Sequence, residues 1–564
     1  MLKNGRMEGQ FRDSLPFAAG PADIVLINGS SYAADAGQNE LQAVAVANGR
    51  IVYKGIDAGI AEWIGPDTQL IDLKERMVLP GFHDGHLHPL MGAVGKTECS
   101  LAGLSRLEQY LERVKRWAEN HSDEDCIRGS GWLYTSFGVL GPNKADLDRV
   151  VADRPVLLKA VDGHSAWANS KALELGGISG TTPDPPGGRI ERDPVSGEPT
   201  GTLREWTAMQ LVEEKFPKWD QERLISAFRP LQQSAARAGL TAVHDAMVRE
   251  QYLAAYLAME ERGDLALRVS LSFLYEPETA EDFIEELKEL RRSDCASLVT
   301  ARSVKIFIDG VIEGHTAFLL TPYADRPDCK GEPLWERGHF MRTIAALDRA
   351  GFQIHIHAVG DGAVRMALDG FEHAVRVNGL RDSRHQIAHL DLISEADLAR
   401  FRSLGVIANF QPLWFSLEAG STDMDEHLLG PIRSRQLYPA QRIFEDGGTI
   451  ACGSDWPVGA DIISLNPLES IKAGLLGLNE ARSRNRTDLS RKQIDLSAML
   501  DFYTRNAAYA AFQENETGTI EVGKLADLVV LDRNLFTTPL EELDRVKVLL
   551  TLLEGKASYR DPAL

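Results

Sequence analysis

Short β-type runs separated by turn residues fill the first eighty positions: Asp23 to Ile27, Leu41 to Ala47, and Ile51 to Lys54 just after Asn48-Gly49. Asn-Gly between two apolar runs is a strong hairpin signal, because both residues tolerate the positive φ of a tight type I′ turn. The same texture returns only at the far end, over residues 518–532 and again from Val546 to Leu553. Two β-rich ends around a different middle predict one small β-sandwich domain assembled from residues 1–80 and 513–564.

The middle, 81–512, changes period. Short apolar runs lead into stretches such as Phe283, Ile284, Leu287 and Leu290, or Leu398, Phe401 and Leu404 closed by Gly405, which repeat at helical spacing. Eight runs lead into polar residues: Met77 to His88, Leu240 to Asp245, Leu267 to Leu274, Val304 to Asp309, Phe352 to His357, Gln386 to His389, Val406 to Gln411 and Thr449 to Asp455. Runs alternating with helices predict parallel β/α units, and eight of them an α/β fold closed as a (β/α)8 TIM-like barrel. One interval does not fit: about 150 residues separate the first run from the second, where connections normally take about 2 to 6. A large insertion after barrel strand 1, at about 97–238, is therefore expected. Its attachment at the carboxyl end of a barrel strand predicts a lid over the site.

Composition changes the expected partners more than the fold. With 61 basic and 82 acidic residues the net charge is −21, a field that repels phosphate backbones and anionic lipid. No nucleic-acid partner is expected. No uncharged apolar run reaches the roughly 18 residues of a membrane span, and the start, MLKNGRMEGQFRDSL, lacks an apolar signal core. The chain is expected to be cytoplasmic, with a small-molecule substrate, no membrane partner, and self-association into a homo-oligomer left open. The five cysteines, Cys99, Cys126, Cys295, Cys329 and Cys452, are odd in number and scattered without a CxxC. They read as small buried apolar side chains rather than a disulfide framework or a thiolate zinc site.

In a β/α barrel the reactive groups sit at the carboxyl ends of the strands. The first run ends in His86-Leu87-His88, and strand geometry puts residues i and i+2 on one face, so both imidazoles address one site. Chance alone gives roughly 0.35 such pairs for this histidine content, so it is the position that carries weight. The fifth run ends in His355-Ile356-His357, the sixth at His389 and the eighth at Ser454-Asp455. The fourth places Lys305 within an otherwise apolar strand, where a bare ammonium carries a steep desolvation cost. Imidazole and carboxylate ligands suit zinc and similar divalent ions, and positive charge nearby favours carbamylation of Lys305 into an anionic bridge. The competing reading is an ordinary lysine paired with Asp309.

These motifs together resemble the metal-dependent amidohydrolase superfamily, and within it the branch similar to N-substituted formamide deformylases, over nearly the whole chain. Leu79-Pro80-Gly81-Phe82 leading to His86-Leu87-His88 resembles the family's opening metal motif, and Val304 to Phe307 its lysine strand. His357-Ala358-Val359-Gly360-Asp361 is similar to its fifth-strand motif, and Ser454-Asp455 to its eighth-strand aspartate. Asp162-Gly163-His164-Ser165 and Pro199-Thr200-Gly201 resemble the branch's insert. The resemblance implies one or two divalent metal ions, zinc first. One is held by His86, His88 and Asp455, a second by His357 and His389, with carbamylated Lys305 between them. One departure is Ile387-Ala388-His389, where this branch often ends in Glu-His, so any contact from that glutamate is lost.

The function expected is hydrolysis of an amide-like carbon–nitrogen bond by metal-activated water, with Asp455 as the catalytic proton shuttle. An N-substituted formamide, or another neutral aromatic amide, is the first choice of substrate. Cyclic-amide opening or ring deamination at the same site is the alternative, and a non-catalytic regulatory or scaffold protein on the same barrel the second. Trp132, His164, His315, Trp414 and Trp456 are candidate walls of the substrate pocket, with Trp167 beside them. His355 lies one layer below His357 and reads as a supporting group, and His83 and His244 as satisfied surface or core histidines.

Overall fold

The computed structural model describes residues 20–34, 41–138, 140–294, 297–415, 422–459, 464–485 and 493–564. The starting segment and Cys295, both weighed above, lie outside the described residues. Eight parallel strands pair in sequence order: Phe82–Leu87, Leu240–Val248, Arg268–Leu274, Val299–Phe307, Gln353–Ala358, Gln386–His389, Ile407–Phe410 and Ile450–Cys452. Their two outer members meet just past the strand ends, where the Asp455 N–H donates to His86 O at 2.7 Å and the His88 N–H to Trp456 O at 2.8 Å. Two glycines let these strands approach: a Cβ on Gly85 would lie 2.8 Å from Cys452 O, and one on Gly453 would lie 2.3 Å from His86 N.

Alternation along each strand separates two environments. Val304 and Ile306, like Ile354 and Ile356, join the large apolar core beneath the helices. The residues between them, Lys305 and His355, are also buried and sit opposite each other in register. The barrel interior is thus a polar layer inside an apolar sleeve, with Ser270, Ser272, His244, Gln386 and Asn409 all buried.

Two of the runs read from the sequence are corrected in extent. Met77 to His88 is not one strand: Met77–Pro80 belongs to the small sandwich and Phe82–Leu87 to the barrel. Gly81 separates them where a Cβ would meet Thr241 Oγ1 at 2.2 Å. Apolar periodicity hides this break because both strands are fully buried. The fourth strand begins at Val299, five residues before the run read from Val304.

The small unit has two sheets. One runs Arg50–Gly55, Ala43–Ala47, Ile24–Ile27, Gln69–Asp72, and the other Ser30–Ser31, Met77–Pro80, Leu528–Leu531, Val548–Leu553, Lys556–Arg560. Leu26, Val44 and Val46 of the first pack on Val78, Val530 and Leu550 of the second. The hairpin turn has Asn48 at φ 51° and Gly49 at φ 76°, as a type I′ turn requires. The sandwich is fastened to the barrel by Arg268, whose Nε donates to Asp527 at 2.7 Å and whose second guanidinium nitrogen donates to Glu554 at 2.6 Å.

Between the first and second barrel strands lies a six-stranded sheet in the order Arg189–Arg192, Pro199–Arg204, Ser165–Ala168, Val156–Ala160, Ile127–Trp132, Cys99–Ser100. Leu158 faces the helix Leu107–Asn120 through Tyr110 and Val114, while Leu157 faces the helix Glu205–Glu213 through Met209 and Val212. Opposite faces for consecutive residues are what the pleat dictates. Among the described residues no helix is long and apolar enough to cross a membrane, and the described cysteines are free, with Cys99, Cys126 and Cys452 buried.

Candidate metal centre

The carboxyl ends of the barrel strands bring six polar groups together. His86 Nε2 lies 3.4 Å and His88 Nε2 3.2 Å from Asp455 Oδ1, and His389 Nδ1 lies 4.0 Å from Asp455 Oδ2. One potential ligand atom from each of His86, His389 and Asp455 falls within 4.8 Å of the others. The rings of His357 and His389 are 4.4 Å apart, centroid to centroid. Lys305 completes the group, lining the same cavity as His88, His357, His389 and Asp455. His389 and Asp455 have positive φ, 78° and 58°. Such strain in non-glycine residues persists only where the surroundings enforce it, and here it occurs at the two positions where the chain turns off a strand end.

Burial pushes the imidazoles of His86, His357 and His389 well below their ordinary range, so neutral rings face a carboxylate. His86 Nε2, Asp455 Oδ1 and Lys305 Nζ are buried without a hydrogen-bond partner among the described residues, and each such orphan costs about 1–3 kcal/mol. The acceptor positions left open on His86 and Asp455 fit a divalent cation. The remaining ring nitrogens are already oriented: His389 Nδ1 faces Gln411 Oε1 at 3.1 Å, and His357 Nε2 faces Gly310 O at 3.2 Å. An acceptor at one nitrogen fixes the proton there and leaves the other for a metal.

Lys305 does not pair with Asp309. The Asp309 carboxylate instead accepts the backbone N–H groups of Phe318, Val359 and Gly360 at 2.8, 3.0 and 2.9 Å, tying the loop after the fourth strand to the end of the fifth. Burial lowers the Lys305 amine to about 7, and its Nζ lies 4.7 Å from the centre of the Phe307 ring. Two other strand-end carboxylates are also engaged elsewhere, Asp245 with Tyr256 Oη at 2.8 Å and Asp361 with the Leu320 N–H at 2.9 Å.

A cavity of about 1160 Å³ opens from this centre toward the inserted sheet. Of the five candidate wall residues, His164, Trp414 and Trp456 line it. Trp414 stacks on His389 with the ring planes 14° apart. Trp132 and Trp167 do not line it: both are fully buried in the insert's own core, donating from Nε1 to Leu158 O and Asn143 O. His315 turns away as well, onto Asp325 at 2.9 Å. The aromatic wall is supplied instead by Trp206 and Tyr134 from the insert and Tyr438 from the barrel, with Glu313 and Asp391 on the barrel side.

His164 shares its Nδ1 with Glu205 Oε2 at 2.8 Å, and its ring lies 5.0 Å from that of His357. Burial disfavours the imidazolium, but the adjoining Glu205 carboxylate outweighs it and raises His164 to about 9. Glu205 has φ 64°, and a Cβ on Gly310 would come within 2.1 Å of its Oε1, so this pair is wedged against the loop after the fourth strand. Glu205, Trp206 and Gln411 escaped the sequence reading. Their only signal is position, directly after the insert strand ending at Arg204 or at the end of the seventh apolar run.

The sequence profile of the amidohydrolase family matches residues 69–559, so the chain belongs to that family and is a hydrolase of carbon–nitrogen bonds. It is 31% identical to Protein LONG AFTER FAR-RED 3 of Arabidopsis thaliana, covering 95% of this chain and 92% of that one. It is 28% identical to an N-substituted formamide deformylase of Arthrobacter pascens, covering 95% and 98%. Among solved structures, a metal-dependent hydrolase from Pyrococcus horikoshii OT3 superposes with a TM-score of 0.72 at 23% identity, over 92% of this chain and 99% of that one.

Proposed function

We propose that the protein hydrolyses an N-substituted formamide, or a closely related neutral amide with an aromatic N-substituent, at a centre of one or two divalent ions. The observation that carries this reading is the unpartnered pair of His86 Nε2 and Asp455 Oδ1 at the barrel mouth, opening into a cavity with aromatic walls. His86, His88 and Asp455 would hold one ion, His357 and His389 a second, and carbamylated Lys305 would join them. Zinc is the first choice for a set of imidazoles and carboxylate. When bound, such an ion lowers the pKa of water to about 7 and polarises a carbonyl.

The chain's own groups supply the rest. Asp455 takes the proton of the attacking water on Oδ2 and returns it to the leaving nitrogen, a poor leaving group until protonated. His164, held as a cation by Glu205, donates from Nε2 to the carbonyl oxygen as charge develops there. Trp206, Trp414 and Tyr438 accept the N-substituent, while Glu313 and Asp391, whose carboxyls burial pushes up, to about 7 and well above the usual range, offer an anionic one no positive charge. The deformylase activity of the Arthrobacter pascens relative supports the choice of formamide.

Elemental analysis combined with a substrate panel tests the reading. About one to two divalent ions per chain are expected, with activity lost on chelation and amine plus formate released from N-benzylformamide. Uncharged aryl amides should exceed short anionic ones at least about tenfold in kcat/KM. Release of ammonia from a ring would move the protein to the deaminase alternative, and a metal-free chain inert to the panel would leave only a scaffold.

A further inference from the structure

Metal-binding histidines almost always donate their second N–H to a carboxylate, a backbone carbonyl or water. His357 and His389 follow a similar pattern through Gly310 O and Gln411 Oε1. His86 does not. Its Nδ1 faces another imidazole, with His355 Nε2 at 2.9 Å. The contact continues inward. His355 Nδ1 lies 3.5 Å from Ser272 Oγ, and Ser272 Oγ lies 2.8 Å from His244 Nε2. Rings stand edge to face at each imidazole step, 4.7 Å from His86 to His355 and 5.1 Å from His355 to His244. All four residues are buried.

We infer that His355, Ser272 and His244 form a hydrogen-bonded relay that holds His86 in the one tautomer able to bind a metal. The inference rests on the proposed role of His86 as a ligand. The proton directions follow from one premise. If His86 presents a bare Nε2 to a cation, its Nδ1 carries the proton and donates to His355 Nε2. His355 must then carry its own proton on Nδ1 and donate to Ser272 Oγ, and the serine hydroxyl donates to His244 Nε2. Each group in the chain has one donor and one acceptor in use, so the protons shift together or not at all. Run in reverse, the relay puts the proton on His86 Nε2, pointing at Asp455 Oδ1 3.4 Å away, and the ligand is lost.

The relay spans the barrel interior from the metal centre to its opposite side. There His244 borders a small cavity of about 10 Å³ together with His83, Ser270 and Gln513, room for about one water. His83 Nε2 and Gln513 Oε1, both buried, have no hydrogen-bond partner among the described residues. The far end is therefore polar, and the last donor of the relay does not end in hydrocarbon. This accounts for three residues that metal chemistry at the barrel mouth leaves without a role, and for a row of polar side chains where barrels of this kind usually place branched apolar ones.

The test is zinc affinity, measured by chelator competition on the full chain, with tautomers read from nitrogen-15 shifts of the histidine rings. His355→Phe removes the acceptor for His86 and should weaken zinc binding about 10- to 100-fold. His355→Gln offers a carbonyl to His86 and an N–H to Ser272, and should restore affinity to within about threefold of wild type. Ser272→Ala cuts the relay one step further away and should fall between them. In the zinc-loaded protein His86 and His355 should both be protonated on Nδ1. Zinc affinity of His355→Phe within twofold of wild type overturns the relay, as does a proton on His355 Nε2. If His355→Phe does not fold, Ser272→Ala and the ring shifts decide. Failure of wild type to bind zinc at all would instead reject the metal reading of His86.

Discussion

The closure of the barrel can be strained by one methyl group. In Gly453→Ala the new Cβ would lie 2.3 Å from His86 N, 2.7 Å from His86 O and 2.8 Å from Asp84 Oδ1. Ordinary contact begins at 3.4 Å, so the first and eighth strands must part by 3.4 less 2.3, roughly 1 Å. The two nearest of these atoms are backbone, and no rotamer change relieves them. Two residues on, the Asp455 N–H donates to His86 O at 2.7 Å, so the displacement opens the same seam that brings Asp455 to His86 and His88. Overpacking of this kind costs about 1–3 kcal/mol, which a well-packed barrel survives. A misplacement of about 1 Å at reacting groups, by contrast, can cost about a hundredfold in rate. Gly453→Ala is thus expected to fold, to lose at least about tenfold in zinc affinity and about a hundredfold in turnover. Chelator competition, steady-state kinetics and a thermal melt, run together, separate these effects. Gly95→Ala serves as the control, since nothing lies within 4 Å of the added Cβ. A Gly453→Ala protein with zinc affinity and turnover within twofold of wild type would refute the argument that strand closure sets the site.

Two further substitutions probe the centre and the wall. Asp455→Asn should keep the fold and lower kcat at least about a hundredfold, as loss of an acid–base group does; near-normal turnover would remove Asp455 from proton transfer. Trp206→Ala should raise KM for an aryl amide about tenfold with little change in kcat, whereas Trp132→Ala should leave KM alone and cost about 3–5 kcal/mol of stability. The pair is checked by kinetics and denaturant titration, and equal effects on KM would show that the cavity is misassigned.

The barrel could be read from the chain because each of its strands is a compact apolar run followed by a helical period, a local property. The convergence of His86, His88, Lys305, His357, His389 and Asp455 could be anticipated for the same reason: strand ends meet at one face whatever the loops do. The walls were harder. Trp132 and Trp167 sit on strands of the inserted sheet, and a tryptophan on a strand points at a cavity or a core depending on which face the covering helix takes. That choice was settled by the helix Leu107–Asn120 lying on their side. His315 looked poised over the site from its loop, yet Asp325, ten residues away, holds it elsewhere. Glu205 and Gln411 act across strands distant in sequence, where no period or spacing announces a contact. The bond from His355 to His86 spans 269 positions.

The sandwich built from both ends of the chain sets an order of events during synthesis. Met77–Pro80 pairs with Leu528–Leu531, Pro80 opposite Leu528, so this strand leaves the ribosome 448 residues before its neighbour. At about 5–20 residues per second that wait is roughly 20 to 90 s. Throughout it a fully apolar edge stays open, and Arg268 lacks the carboxylates of Asp527 and Glu554 that later enclose it. The barrel's first strand is joined to that waiting edge through Gly81 alone, so a nascent chain can complete its eight barrel strands and still have its barrel unanchored. The stretch from Asp527 to Glu554 is the clasp, and its arrival, rather than the making of any strand-end residue, ends the interval in which that apolar edge stands open.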